Sequence, residues 1–407
     1  MSLSEKFHEV IVLGAGPAGC TCALHLANRD VDVCLIDRAV FPRDKICGDA
    51  LSGSVKFELR KLDLLDEFLR FNLKLDAWGI RFFAPDHQSL DVAFPLRYDQ
   101  AAPGWICRRT DFDNFLVDRI REHPRIHLVE GMACREIASP NGSIEVRGSK
   151  TFRGRVIVGA DGAQSVVGRQ LAGMAVDLVH HSAGLRQYYK NVSGLSESNL
   201  IELHFYREVL PGYFWIFPLP DNYANVGIGM LSSAVSKKKV NLRARMSEII
   251  QTHPNVAHRF AGAKPVDGVH GFGLPMGSVK RNISGERFLL VGDAASLIDP
   301  FSGEGIGNAM TSGRLAALHL LECIEKDDFS KRQMAHYDKI IYEKLWPVLK
   351  VSYSMQKLVK YPWLFNLVVR KANKNRAVHD LILSMFDNTS LKKVLTRPGF
   401  YIDLFFK

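Results

Sequence analysis

This sequence predicts an α/β chain, α+β overall: a parallel sheet built from βαβ units, an inserted antiparallel β-sheet, and a helical C-terminal region. Three observations predict it. A strand, glycine turn, helix and second strand run in order up to Asp37; a long central stretch alternates apolar and polar residues; and a short apolar strand far downstream ends in Gly292-Asp293. With 47% of its 407 residues apolar, the chain can bury a large core, which excludes a disordered or fibrous protein.

The elements follow in order. Residues 9–13 are a mostly β-branched run that stops at glycine, residues 18–28 have the composition of a small-residue helix, and residues 31–36 form a second strand ending in an acid. Residues 80–96 alternate apolar and polar side chains with prolines, the pattern of antiparallel strands with one wet face. Residues 111–123 have helical spacing, residues 125–146 read as strands joined by the turn Pro140-Asn141-Gly142, and residues 155–159 return to a buried strand. From residue 182 to about 230 long alternating segments indicate a large antiparallel sheet, and residues 271–277, rich in glycine and holding a proline, read as a loop. Residues 287–292 are a buried strand, followed by a helix over 305–324. The tail is helical from about 332, with breaks expected at Pro347, Pro362 and Pro398. The implied organisation is one discontinuous domain over 1–79, 97–178 and 281–330, an antiparallel-sheet domain over 80–96 and 179–280, and a helical region over 331–407.

Gly14-Ala15-Gly16-Pro17-Ala18-Gly19 is GxGxxG set between strand and helix, with Asp37 closing the next strand: a Rossmann-like dinucleotide fingerprint. Gly14 permits the turn, Gly16 lets a pyrophosphate approach the backbone, and Gly19 lets helix and strand pack. The helix N-terminus at Pro17 and Ala18 offers free N–H groups to phosphate. Asp37 is suited to ribose hydroxyls and repels a 2′-phosphate, which disfavours NADP here. NAD against FAD is decided downstream. Gly292 would pass close to a ribityl chain and Asp293 accept from its hydroxyls. The loop Pro300 to Ile306, with Gly303 and Gly305, opens a helix whose N–H groups would face the pyrimidine edge of an isoalloxazine. FAD is the expected cofactor.

Three signatures in order, the GxGxxG, Asp161-Gly162 and Gly292-Asp293, resemble the glutathione-reductase-type FAD domain of the p-hydroxybenzoate hydroxylase fold. The resemblance implies that Asp161 and Arg108 or Arg109 help hold the cofactor. Two further stretches are similar to the geranylgeranyl reductase branch: Asp37-Arg38 through Lys45-Ile46-Cys47-Gly48, and Tyr213-Phe214-Trp215-Ile216-Phe217-Pro218 with Val226-Gly227-Ile228-Gly229. A halogenase would show two tryptophans and Ile-Pro at the second stretch. The resemblance adds Arg38, Cys47 and Gly48 to the cofactor contacts and implies hydride transfer from reduced flavin to a C=C bond of a polyprenyl lipid. Tyr213, Trp215 and Phe217 share one strand face and would wall the apolar slot; Cys47 is the candidate catalytic side chain. An aromatic monooxygenase and a flavin-bearing electron carrier or dehydrogenase are the rival readings.

No second strand-turn-helix GxGxxG occurs, so NAD(P)H docking transiently or a reduced redox protein is the expected electron donor. Seven scattered cysteines without paired CxxC motifs argue against a disulfide framework, against a structural zinc site, and for a reducing, cytoplasmic setting. The N-terminal apolar run leads into the glycine fingerprint and reads as a strand, not a signal peptide. The net charge of +10 has no nucleic-acid motif behind it. Lysines interleaved with aromatics over 350–374, and Tyr401 with Leu404-Phe405-Phe406-Lys407, are suited to the inner face of a membrane as a peripheral contact; a helical cap over the second domain is the alternative.

Overall fold

The strand Phe7–Leu13 lies between two parallel neighbours, Thr151–Gly159 and Val33–Ile36, and so its residues Val10, Ile11 and Val12 are fully buried. Phe288–Leu290 adds to one side of this core and Ile126–Val129 to the other, all parallel. The computed structural model describes residues 6–94 and 101–386. Of the segment expected to form hairpins over 125–146, only Glu136–Ala138 and Ile144–Arg147 pair antiparallel, across a turn where Asn141 and Gly142 both adopt positive φ. Ile126–Val129 instead extends the parallel sheet, because Val33–Ile36 leaves an edge open to it.

The second sheet has the order Lys264–Pro265, His181–Lys190, Tyr223–Leu231, Gly212–Leu219, Ile201–His204, Gly79–Phe83, Ser89–Ala93. Its pairs are antiparallel except Ile201–His204 with Gly79–Phe83, where a segment from early in the chain joins in parallel. Residues 271–277, expected as a loop, are largely a strand: His270–Pro275 pairs with 181–186 of the long neighbouring strand. Glycine weakens strand propensity locally, and pairing with an already ordered edge overrides it. A third sheet of Ala50–Leu51, Gly104–Cys107 and Lys74–Ala77 sits beside them.

The helix His336–Leu358 runs through Pro347, contrary to the break expected there. The missing N–H and the ring clash cost about 3 kcal/mol. Tyr337, Ile341, Leu345 and Leu349 bury one continuous face of the helix, and that burial outweighs the cost. At Pro362 the break does occur, and the proline occupies the first turn of the next helix, Pro362–Lys374. Pro398, Tyr401 and 404–407 lie outside the described residues.

Register places the site. Leu13 pairs with Ile36 and with Gly159, and Gly159 with Leu290, so four parallel strands end at one level. The segments that follow them, at Gly14, Asp37, Asp161 and Asp293, therefore open into one crevice at the carboxyl ends of the strands.

Candidate active site

A cavity of about 900 Å³ fills that crevice and continues beneath the second sheet. This is at the upper end of the roughly 300–1,000 Å³ typical of ligand pockets. At one end it is lined by Gly14, Gly16, Pro17, Ala18, Asp37 and Arg38. Gly14 sits at φ +107°, and a Cβ there would lie 2.3 Å from the Ala160 carbonyl oxygen. Gly19 does not line the cavity; a Cβ on it would lie 1.8 Å from the Gly14 oxygen, so its role is to let the helix Pro17–Ala27 approach the turn. Gly16 faces open space, with only Arg43 Nη2 within 4 Å of its Cβ position, at 3.7 Å. Asp37 accepts from the Ala15 N–H at 2.7 Å and the Ala39 N–H at 2.8 Å, which braces the glycine turn against the second strand.

Asp161, Asp293, Pro300, Gly303, Gly305 and Ile306 line the middle of the cavity. Asp161 accepts from Ser165 Oγ and Val166 N at 2.5 Å each, so its carboxylate shapes its own turn. Lys45 donates to Asp293 at 2.8 Å across 248 positions of sequence. Gly292, at φ +58°, lies behind the lining and packs on Ala309 and Ala18. Arg109 lines the cavity, held by paired 2.7 Å bonds from Nε and Nη2 to Asp113, which also accepts from Arg43 at 2.7 Å. Arg108, the other arginine singled out in the sequence, does not line it. Its guanidinium lies over the rings of Tyr223 and Tyr188, 4.4 and 5.1 Å from their centroids. Arg108 is the N-cap, with an extended ψ of 140°, and Arg109 is the first helical residue, so the change in backbone direction between them separates the two side chains.

Tyr213, Trp215 and Phe217 line the far end as one row, with successive ring centroids 6.1 and 6.3 Å apart. Each is pinned. Tyr213 donates its hydroxyl to the Ser302 carbonyl at 2.7 Å, Trp215 donates Nε1–H to Asn225 Oδ1 at 2.9 Å, and Phe217 packs on Gly48. The Trp215 ring lies flat where Gly227 leaves room: a Cβ on Gly227 would sit 2.1 Å from it. Phe205 and Phe301 extend the apolar wall, and Val348, Ser352 and Gln356 from the helix His336–Leu358 close it.

Cys47 and Gly48 also line the cavity. Burial raises the Cys47 thiol, whose sulfur accepts from the Asp49 N–H at 3.4 Å. The loop carrying it is fastened to the second sheet by a buried amide that nothing in the sequence singled out. Asn225 Nδ2 donates to the Cys47 carbonyl at 2.7 Å and to Asp49 Oδ2 at 2.8 Å, and Tyr188 donates its hydroxyl to the same carboxylate at 2.7 Å. Fully buried Arg186 ties Asp44 of the loop to Asp267. Glu304 was likewise missed. It lines the cavity and accepts from the Gly307 N–H at 2.6 Å and Ser52 Oγ at 3.1 Å. Burial pushes its carboxyl up to about 7, assisted by the Asp299 charge and opposed by those two donors.

The family described as FAD binding domain matches residues 8–339. The chain belongs to that FAD-binding family. It is 28% identical over 398 residues to the digeranylgeranylglycerophospholipid reductase of Methanocella arvoryzae, covering 95% of this chain and 94% of the relative. With the menaquinone reductase of Mycolicibacterium smegmatis it shares 30% identity over 329 residues, 76% of this chain and 75% of the relative. Among solved structures, a geranylgeranyl bacteriochlorophyll reductase-like protein from Thermoplasma acidophilum superposes with a TM-score of 0.79 at 22% identity, covering 93% of this chain and 99% of that one. A flavin-dependent brominase superposes at 0.78 with 18% identity, covering 98% and 97%, a likeness of fold alone. This flavoprotein is thus an FAD-dependent oxidoreductase. Among the described residues, no helix of this FAD-binding protein is long and apolar enough to cross a membrane.

Proposed function

We propose that this flavoprotein reduces C=C bonds in the isoprenoid chain of a lipid or quinone. The observation that carries the reading is the continuity of one cavity, in which the Gly14–Gly16 turn and the Gly303–Gly305 loop share a wall with Tyr213, Trp215 and Phe217. The names of the relatives, reductases of digeranylgeranylglycerophospholipid and of menaquinone, point to the same substrate class.

The residues present fit FAD. The open face of Gly16 before the N-terminus of Pro17–Ala27 would take the pyrophosphate, and Asp37 the adenosine ribose. Asp293 and the backbone from Gly303 to Ile306 would take the ribityl chain and the flavin ring. Bound and reduced, FAD supplies a hydride. The chain's own part is to position and to protonate. Trp215 and Phe217, with Phe205 and Phe301 beyond them, receive an extended apolar chain and keep water from it. Glu304, with its carboxyl near 7, is a better proton source near neutral pH than the Cys47 thiol or the Tyr213 hydroxyl, both of which burial raises. Cys47 then serves as a wall contact.

NAD(P)H or a reduced redox protein would reload the flavin by transient docking. Tyr361, Trp363 and Leu367 are exposed on and beside the helix Pro362–Lys374, whose last turn carries Lys371 and Lys374. That surface suits an anionic lipid face, from which an insoluble substrate would enter. The test is reoxidation without oxygen. The purified protein is reduced chemically and offered a polyprenyl lipid, or separately a phenol. Recovery of the oxidised flavin spectrum with the lipid, with hydrogenated product, is the expected result; reoxidation only when oxygen and the phenol are added together would overturn it.

A further inference from the structure

At the opposite end of the parallel sheet from the cavity, three strands bring together side chains that the flavin chemistry does not use. His8 stands near the start of Phe7–Leu13, Cys34 in Val33–Ile36 and His127 in Ile126–Val129. One ligand atom from each lies within 4.8 Å of the other two. None of the three lines the cavity.

Two observations distinguish this cluster from ordinary sheet packing. His8 is fully buried, yet its Nε2 has no hydrogen-bond partner, and the buried Nδ1 of His127 has none either. A buried polar atom left without a partner costs about 1–3 kcal/mol, so two beside one thiol indicate a missing partner, a donor or a metal, for nitrogen lone pairs. The other ring nitrogen of His8 is held by Asp32 Oδ1 at 2.7 Å. That is the carboxylate–histidine arrangement which fixes the ring and directs the remaining nitrogen toward a metal.

We propose that His8 Nε2, Cys34 Sγ and His127 Nδ1 bind a zinc-class cation. Bonds of about 2.0–2.1 Å to nitrogen and about 2.3 Å to sulfur put tetrahedral ligand atoms about 3.3–3.6 Å apart, so side chains that lie within 4.8 Å of one another close by about 1 Å on binding. The Cys34 thiol gives its proton to solvent as the sulfur–metal bond forms, and water takes the fourth tetrahedral position. Asp32 offsets the nearby Lys6 ammonium, with which it is ion-paired, and its side chain is 26% exposed, so the cluster lies close to solvent. The ion would staple the two strands that lead into Gly14 and Asp37 to their outer neighbour Ile126–Val129. Cysteine spacing could not show this site, because each ligand comes from a different strand and CxxC counting sees only neighbours in sequence.

The test uses the full-length FAD-loaded protein, stripped with a chelator, dialysed against zinc chloride and then metal-free buffer. Metal is counted by mass spectrometry, and flavin absorbance counts folded protein. The expected result is about one zinc per chain in the parent, with affinity lowered at least 10-fold by Cys34→Ser and by His127→Gln, and about 10-fold by Asp32→Asn. X-ray absorption of the zinc-loaded parent should show one sulfur and two imidazole nitrogens, a readout that stands even if a variant loses its flavin. Zinc well below one equivalent, equal retention by Cys34→Ser and His127→Gln, or a zinc shell without sulfur would overturn the proposal.

Discussion

Replacing Asn225 by alanine tests how the reaction chamber is held together. Its side chain is fully buried and makes three hydrogen bonds at once: it donates to the Cys47 carbonyl and to Asp49 Oδ2, and accepts from Trp215 Nε1. Two of these are neutral and contribute about 1 kcal/mol each; the one to a charged carboxylate contributes about 1.5–3 kcal/mol. Burial raises the Asp49 carboxyl from 3.8 to about 6, against the pull of Tyr188 and Asn225. For such a raised acid the stabilising state is the protonated one, complete below pH 3.8 and lost as pH climbs through about 6. Asn225 donates to the charged form and so opposes that loss. Asn225→Ala should therefore cost about 3–5 kcal/mol at pH 8 and about 2–3 kcal/mol at pH 5, where Asp49 is mostly neutral. Urea unfolding followed by circular dichroism and by flavin release, run at both pH values, measures it. A loss below about 1 kcal/mol, or the same loss at both, would refute the view that this amide carries the loop.

Three further outcomes follow from the same geometry. Gly14→Ala should yield colourless protein that cannot be reconstituted with FAD, since the new methyl group meets the Ala160 carbonyl at 2.3 Å in a backbone conformation that L-residues rarely adopt; the visible spectrum reads it directly. Glu304→Gln should keep its flavin yet lower the anaerobic rate about 100-fold or more, and abolish the fall in rate that the parent shows as pH rises through about 7, a profile measured by stopped-flow reoxidation. Trp215→Ala should lower kcat/KM for a polyprenyl substrate at least about 10-fold while the rate of flavin reduction by a small chemical reductant stays unchanged, because the slot loses its central wall and the cofactor end does not.

Local rules carried the reading of the chain furthest where a motif is contiguous. The turn at Gly14, the acid at Asp37 and the helix after Gly305 are each specified by neighbours in sequence, and the same holds for the aromatic alternation at Tyr213, Trp215 and Phe217. Where pairing with a distant edge or burial against a distant face supplies the energy, local rules misread the result. The strand His270–Pro275 forms against residues 181–186 despite its glycines, and the helix His336–Leu358 continues through Pro347 because its packed face outweighs one lost hydrogen bond. The choice between Arg108 and Arg109 is of the same kind, since it depends on the rotation of a helix that only packing sets.

The sequence by itself therefore determined that a dinucleotide turn, a second glycine loop and an aromatic strand exist. Only the tertiary structure decided that these open into one cavity, that Asn225 fastens the Cys47 loop and that Glu304 lines its wall with a raised carboxyl. It alone also joined His8, Cys34 and His127 from three strands. The physical reason is range: turns and strand alternation follow from backbone sterics and solvation over a few residues, whereas a buried amide, a raised carboxyl or a ligand cluster depends on which remote atoms exclude water around it.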